Sequence, residues 1–271
     1  MRADGSGTRK VRPTNPEIEG LRGTFDHDGY LVFESGISES TIDAAIEDVE
    51  REFRAEGLME RALRRARLLV GPLRTPSYRD TVRVQDEWTV SDNVKAIARA
   101  PRVLELLREL YGRAPLPFQT LNFKRGSQQS PHSDTWHFNS EPGGFMCGVW
   151  LALEDIHDYC GPLIYYPGSH RLGEVTRADF SEAGVPAEHA YHEYIQSLIE
   201  REGLQPRYGT LRKGEALVWS SNLLHGGAPQ RNPAGTRLTQ VTHYFFEGCD
   251  YYVPMLSEGD QIAPREFQTI G

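Results

Sequence analysis

Apolar residues recur at two different spacings along this chain, and the change between them falls near Pro115. Before that point, the apolar run Gly29–Phe33 predicts a strand, and Ser38 then suits the N-cap of an amphipathic helix. The inward-facing stripe of that helix is Ile42, Ile46, Val49 and Phe53. A basic helix around Arg61–Leu69 and another over Asn93–Leu110 are predicted to follow.

After Pro115 the pattern changes to short strands separated by turns rich in glycine, proline and asparagine. This spacing is typical of an antiparallel sandwich or barrel. A polar, partly helical insert at 172–207 interrupts the strands, and we expect it near the open rim, at the mouth of any site that the barrel holds. The predicted strands are Phe118–Lys124, Phe145–Leu153, Pro162–Tyr166, Ala216–Ser220 and Arg237–Phe246.

The composition fits one folded unit preceded by a short tail. Residues 1–17 are polar and contain glycine, proline and basic residues, which predicts a mobile N-terminal tail. No internal repeat or second change of composition follows, so 18–271 is predicted to form a single domain. A chain of 271 residues that is 38% hydrophobic has enough material for a sizeable core.

Charge and cysteine content exclude several classes of protein. The net charge of −8 argues against a general binder of nucleic acid or anionic membranes, whose binding surface would be basic. Three scattered cysteines are too few for a disulfide framework or a paired-cysteine zinc site, so we expect reduced thiols. Without an apolar run of membrane-spanning length or a recognisable leader, the sequence predicts a cytoplasmic protein with a small-molecule partner.

The chemistry-bearing residues begin with a histidine and a carboxylate, His132 and Asp134, which stand two positions apart. On an extended segment two such side chains project to the same side. Much later His225 follows an apolar strand and precedes Gly226 and Gly227, which leave space beside it. Two imidazoles and one carboxylate cover one face of an octahedral ferrous ion and leave the opposite face open. We therefore predict these three side chains as iron ligands and as the catalytic centre.

Zinc is the main alternative metal. A zinc site would call for a fourth histidine or cysteine, or for a hydrolytic water with a general-base glutamate, and neither has recognisable spacing here. Asp134 also fills a coordination position that a glycine or alanine would leave open to halide. The carboxylate therefore favours hydroxylation over halogenation.

An arginine follows the last ligand by twelve positions. The planar, two-pronged guanidinium of Arg237 suits a clamp for the far carboxylate of 2-oxoglutarate. Strand alternation places Thr239, Val241 and His243 on the same face. Thr239 is a second candidate donor to that carboxylate, with core packing as its competing role. His243 is expected to be a hydrogen-bonded inward histidine and not a ligand.

Taken together, these segments resemble the phytanoyl-CoA dioxygenase family of Fe(II)/2-oxoglutarate oxygenases, which includes ectoine hydroxylase. The likeness is dense in motifs in the second half of the chain and is only a general pattern in the first. It implies a mainly β fold with added helices, a double-stranded β-helix (jelly-roll, cupin-like) barrel buttressed by α-helices. The matching segments are Phe25–Tyr30, Pro131–Asp134, Gly161–Leu163, Pro167–Arg171, Leu224–Gly227 and the stretch from Arg237 to Phe245.

The resemblance also implies roles for residues beyond the metal set. Asn122 looks like the amide that family members turn toward the cosubstrate. Trp150 looks like an aromatic wall of the same pocket, with core packing as an equal alternative. Gly227 stands where several relatives have serine, so one hydrogen bond to the cosubstrate is absent or replaced.

Substrate-facing residues follow less directly. The stretch Asp134–His137 is similar to a tryptophan-containing stretch of ectoine hydroxylase but is shorter, so that substrate is not carried over. Trp136, Phe145 and Tyr165 are predicted to line an aromatic substrate pocket, with the 172–207 insert as a mobile cover. His137 lies close enough in sequence to the ligands to contact the substrate.

The expected function is that of an Fe(II)- and 2-oxoglutarate-dependent dioxygenase acting on a small organic substrate in specialised, natural-product metabolism. It would consume O2, form succinate and CO2, and hydroxylate an unactivated C–H bond, although desaturation or ring closure stays open. The main alternative is a non-catalytic barrel that binds a metal or small ligand and forms no succinate. A third possibility, zinc-dependent hydrolysis, would proceed without oxygen or 2-oxoglutarate.

Overall fold

Five helices accompany the sheets in the computed structural model, which describes residues 16–70, 83–180, 186–257 and 261–271. Residues 1–15 of the predicted tail lie outside the described residues. None of the helices within the described ranges is both long and apolar enough to cross a bilayer. The helices are α1 (Pro16–Asp28), α2 (Glu39–Val70), α3 (Asp92–Ala98), α4 (Pro101–Tyr111) and α5 (Ala187–Arg201).

The helical half departs from its sequence prediction in three places. The Ser38 cap is confirmed, because its Oγ accepts a hydrogen bond from the Thr41 amide at 3.2 Å. The helix expected after Ser38 and the basic helix expected around Arg61–Leu69 form one continuous helix, α2. Helix α1 was not predicted from the sequence. The helix expected over Asn93–Leu110 is divided, because Pro101 lacks an amide hydrogen and disfavours helical geometry in the residue before it.

The strands within the described residues form three antiparallel sheets. Six strands build the large sheet in the order β1-β8-β5-β10-β3-β2, and a small sheet has the order β7-β6-β9. The two remaining strands, β4 and β11, pair with each other. The strands are β1 (Tyr30–Glu34), β2 (Arg83–Gln85), β3 (Pro115–Phe123), β4 (Asn139–Glu141), β5 (Met146–Ala152), β6 (Leu163–Tyr165), β7 (Arg207–Tyr208), β8 (Glu215–Ser220), β9 (His225–Gly227), β10 (Thr239–Phe246) and β11 (Asp250–Tyr252).

Alternation along the central strands divides the core into two layers. On β5, Cys147, Val149 and Leu151 pack with the helices, whereas Trp150 and Ala152 point into the space between the large and small sheets. Burying each of the larger side chains stabilises the fold by about 1.5–3 kcal/mol. The predicted β-sheet barrel buttressed by helices is confirmed, and its interior contains the candidate site.

Candidate metal and cosubstrate site

Strand β9 of the small sheet and the segment from His132 to Trp136 bring the three predicted metal ligands together. His132 and His225 exchange a pair of backbone hydrogen bonds of 2.9 Å each, and Asp134 begins the 3-10 helix Asp134–Trp136. The Nε2 atoms of the two histidines lie 3.9 and 3.8 Å from Asp134 Oδ1. One ligand atom from each buried side chain lies within 4.8 Å of the other two.

Backbone carbonyls fix the orientation of both imidazoles. His132 Nδ1 donates to Ser130 O and His225 Nδ1 donates to Leu223 O, each at 3.0 Å. The lone pair of each ring therefore lies on Nε2, the arrangement that is typical of histidine ligands. Burial, reinforced by the nearby His225, lowers the pKa of His132 to about 3, so this imidazole is neutral at physiological pH.

The carboxylate is oriented by an indole. Trp219 Nε1 donates to Asp134 Oδ2 at 2.8 Å, which leaves Oδ1 facing the histidines. Burial by itself raises the pKa of Asp134, but the surrounding histidines and the Trp219 hydrogen bond bring that pKa below its usual value. Gly148 makes room for the indole, since a Cβ there would lie 2.2 Å from Trp219 Cζ2. This contact was not predicted from the sequence, although Trp219 lies on the strand that leads to His225.

The two glycines after His225 allow a loop to approach closely. A Cβ on Gly226 would lie 2.6 Å from Gln129 O, and a Cβ on Gly227 would lie 2.6 Å from Gln128 N. The same loop places the Gln129 amide nitrogen 3.2 Å from His132 Nε2. Larger residues at either glycine would push this loop away from the ligands.

Arg237 lines the same cavity, which has a volume of about 260 Å³. Only 2% of this residue is exposed, and its guanidinium carbon lies 5.1 Å from the Phe123 ring and 5.5 Å from the Trp150 ring. One terminal nitrogen donates to Arg125 O at 3.3 Å. A guanidinium held between aromatic faces in a buried cavity is preorganised for a carboxylate.

Buried polar atoms near Arg237 fit a bound dicarboxylate. Within the part of the chain that the structure describes, Trp150 Nε1 and Thr239 Oγ1 are buried and lack a hydrogen-bond partner. Trp150 lines the cavity, and Thr239 lies on the face of β10 that carries Val241. Unpartnered buried donors cost free energy, which a ligand carboxylate would recover. The donor set of two imidazoles and one carboxylate in turn suits a ferrous ion.

Comparison with known proteins agrees with this arrangement. The family model for phytanoyl-CoA dioxygenase (PhyH) matches residues 25–238. This chain belongs to the phytanoyl-CoA dioxygenase family. Among curated relatives, the ectoine dioxygenase of Nocardia farcinica is 32% identical over 232 residues, covering 78% of this chain and 72% of the relative. The ectoine dioxygenase of Halomonas elongata is 31% identical over 155 residues, covering 51% and 45%.

Solved structures share the fold. The non-heme alpha ketoglutarate dependent epimerase SnoN, from nogalamycin biosynthesis, superposes with a TM-score of 0.64 at 20% identity, covering 94% of this chain and 98% of SnoN. EctD from S. alaskensis gives 0.60 at 18% identity, covering 97% and 88%. This member of the phytanoyl-CoA dioxygenase family is therefore an Fe(II)/2-oxoglutarate-dependent oxygenase with the double-stranded β-helix fold.

The prediction for Asn122 was wrong. Leu121 and Phe123 line the cavity, so the side chain between them projects to the opposite face of β3. There Asn122 Nδ2 donates to Gln240 Oε1 at 3.2 Å, and Gln240 Nε2 donates to Val94 O of α3 at 3.1 Å. This amide tethers the sheet to the helices and does not face the cosubstrate.

The predicted aromatic substrate pocket was also wrong, because its three members lie outside the cavity. Trp136 stacks on Tyr191 of the insert, with ring centroids 4.3 Å apart. Phe145 has the parity of the helix-facing residues of β5 and packs with the helical core. Tyr165 packs against Tyr30, with ring centroids 4.6 Å apart.

The insert contacts the ligand-bearing segment instead of only the rim. Tyr191 of α5 accepts a hydrogen bond from the Ser133 amide at 2.8 Å, between the two ligands of that segment. Its packing against Trp136 adds a second contact. The insert therefore supports the metal-binding segment, and its movement as a cover remains a prediction.

The side of the cavity that carries His243 is mainly polar. His137 lines it, and so do four residues that were not proposed as substrate contacts. Contact between His137 and a substrate stays a prediction. Strand alternation offered a signal for two of them, since His243 shares parity with Arg237, and Gln119 with Leu121. Burial lowers the pKa of His243 to about 4. The four residues are Gln85, Gln119, Phe138 and His243.

Proposed function

We propose that this protein hydroxylates an unactivated C–H bond of a small organic substrate, with Fe(II) held by His132, Asp134 and His225 and 2-oxoglutarate held by Arg237. The observation that carries the proposal is the convergence of these four buried groups on one cavity. Family membership supports the same chemistry.

Each side chain has a distinct task in this scheme. Bound Fe(II) and 2-oxoglutarate together supply the oxidising power for O2-dependent C–H oxidation, with succinate and CO2 as co-products. His132 and His225 would hold the metal through Nε2, because their Nδ1 hydrogens are bonded to backbone carbonyls. Trp219 keeps Asp134 turned toward the same point. The protein thereby fixes the geometry in which the reacting groups meet.

Arg237 orients the cosubstrate. Its two-pronged guanidinium would hold a carboxylate of 2-oxoglutarate, and Thr239 Oγ1 and Trp150 Nε1 are the neighbouring donors. The surrounding Phe123 and Trp150 rings exclude water from the ion pair, which strengthens it.

Relatives support a small-molecule substrate and a setting in natural-product metabolism. Two curated relatives are named for ectoine, and the SnoN structures come from nogalamycin biosynthesis. Hydroxylation is favoured for this chain because Asp134 completes the three-residue ligand set and leaves no protein-derived vacancy for halide.

Substrate-stimulated succinate formation tests the proposal. The purified protein with Fe(II) and 2-oxoglutarate is expected to form succinate and consume O2 in equal amounts when a panel of small metabolites contains a substrate. Asp134→Ala should abolish both signals, whereas Asp158→Ala, which removes an exposed carboxylate paired with Arg231, should change neither. Turnover that persists without O2 or 2-oxoglutarate would indicate hydrolysis, and metabolite binding without any succinate would indicate a binding protein.

A further inference from the structure

The cavity is lined by Arg237 at one end and by His243 at the other. Arg237 and His243 share a face of the β10 segment and stand six residues apart, roughly 20 Å along a strand. His243 Nε2 lies 3.8 Å from Asp134 Oδ2, so the histidine end adjoins the metal set. Val241, which pairs with Trp150 and Leu121, separates the two ends.

Hydrogen-bonding groups dominate the end that His243 occupies. Gln119 pairs with His243 across the strands, and His137 and Phe138 close the same side. The Phe138 ring lies 5.3 Å from the His243 ring and supplies an apolar wall. Of the described residues that line the cavity, Asp134 is the one carboxylate, and it belongs to the metal set.

Gln119 sets the direction of the His243 imidazole. His243 Nδ1 donates to Gln119 Oε1 at 2.9 Å, which leaves a lone pair on Nε2. The distance of 3.8 Å to Asp134 Oδ2 is too long for a hydrogen bond, and Nε2 has no other hydrogen-bond partner among the described residues. The imidazole thus presents an acceptor, and the Gln119 amide a neighbouring donor, next to the metal ligands.

We propose that His243 Nε2 accepts a hydrogen bond from an O–H or N–H group of the substrate, so that the protein selects small polar molecules and not acyl chains. This inference rests on the proposed function and assigns the substrate class of the same site. The cavity of about 260 Å³ also has to hold the cosubstrate, and it is smaller than the ~300–1,000 Å³ typical of sites for drug-sized ligands.

Selectivity for polar substrates follows from the acceptor atom, His243 Nε2. A substrate analogue without the donor group would leave His243 Nε2 buried and unpaired, which is the situation in which hydrogen-bonding sites reject analogues most strongly. An alkyl chain of matching size would contact the Phe138 ring at this end but would leave the acceptor unpaired. A hydroxyl or amine near the oxidised carbon is therefore the expected mark of the substrate.

The tautomer of His243 can be measured without a substrate. In protein loaded with Zn²⁺ and 2-oxoglutarate, nitrogen-detected NMR of the imidazoles, assigned with His243→Gln, should show Nδ1 protonated and Nε2 unprotonated. Gln119→Leu should abolish that preference. A His243 ring protonated at Nε2 in the wild-type protein would overturn the proposal.

Paired ligands test the selection itself. Binding to the same Zn²⁺- and 2-oxoglutarate-loaded protein is measured for metabolites that differ from an alkyl analogue by one hydroxyl or amine, beside straight-chain acyl compounds. The hydroxyl or amine member should bind more tightly, His243→Phe should weaken it about tenfold, and His243→Gln, which keeps an acceptor, should restore most of the affinity. Equal binding of both members of the pairs, or no change in His243→Phe, would contradict the proposal.

A control variant and the affinity for 2-oxoglutarate separate this inference from the proposed function. Thr242→Val alters the helix-facing side of the same strand and should leave ligand affinity unchanged. Affinity for 2-oxoglutarate should be the same in His243→Phe as in the wild-type protein. If the wild-type protein does not bind 2-oxoglutarate, the proposed function is contradicted. If it binds 2-oxoglutarate but its metabolite affinity is the same in His243→Phe, this inference alone is contradicted.

Discussion

The Arg237 end of the cavity is aromatic and carries the buried Arg237 guanidinium, whereas the His243 end is lined by amides, imidazoles and the Phe138 ring. The first end suits a ligand of fixed chemistry, a dicarboxylate cosubstrate common to a whole class of oxygenases. The second end suits a ligand that differs from one enzyme to the next. Variants that change one end, the metal ligands or the residues that support those ligands should therefore differ in which affinities they alter.

Removing a ligand from the shared centre should have the largest effect and should affect both ends together. In His225→Ala the metal loses one of three protein ligands, so turnover should fall by more than about 1,000-fold, as is common when a catalytic group is deleted. Iron binding measured by titration should weaken in parallel. His189→Ala, an exposed histidine paired with Glu193 on α5, is the matched control and should retain full activity. Normal turnover by the His225 variant would exclude this metal site.

Arg237→Ala should affect only the cosubstrate end. Truncating one partner of a desolvated charge pair costs about 2–5 kcal/mol, so the Kd of 2-oxoglutarate should rise by roughly 30-fold to several thousand-fold. Iron affinity and the affinity of the metabolites should change little. Arg231→Ala removes an exposed guanidinium paired with Asp158 and should leave the Kd unchanged. An unaltered Kd in Arg237→Ala would mean that the cosubstrate binds elsewhere.

The same contrast between the two ends explains what the sequence could predict. His132, Asp134, His225 and Arg237 follow from order and spacing, because iron and 2-oxoglutarate impose the same geometry wherever they bind. Asn122 was misplaced because a shift of one residue along a strand moves a side chain to the other face.

Residues that depend on tertiary packing were harder to predict. Trp136 was expected in the cavity, yet the insert supplies Tyr191 as a stacking partner that no local pattern indicates. Of the three differences between prediction and structure in the helical half, only the division at Pro101 has a local cause in the sequence, because proline interrupts a helix. Gln119 and His243 could have been paired only with the register of β3 and β10 known.

Gly148→Ala should disturb the centre without removing a ligand. A Cβ at this position would lie 2.2 Å from Trp219 Cζ2, so the indole must shift and its hydrogen bond to Asp134 Oδ2 should weaken. Loss of a group that orients a ligand commonly costs 10- to 100-fold in metal affinity, which iron or zinc titration would measure. Gly143→Ala is the matched control, because the nearest atom to its added Cβ is 3.9 Å away. Equal metal affinity in both variants would rule out a positioning role for Trp219.

Tyr191→Phe should have the smallest effect, and that effect should be equal at both ends of the cavity. The variant keeps the stacking on Trp136 but leaves the buried Ser133 amide without its partner, at a cost of about 1–3 kcal/mol in the free energy of unfolding. Because Ser133 stands between His132 and Asp134, metal affinity should fall a few-fold, while the affinities for 2-oxoglutarate and metabolite change by the same small factor. Denaturant unfolding and metal titration measure these quantities, with the exposed Tyr208→Phe as the control. A change confined to metabolite binding would instead mean that α5 acts on the His243 end as a cover.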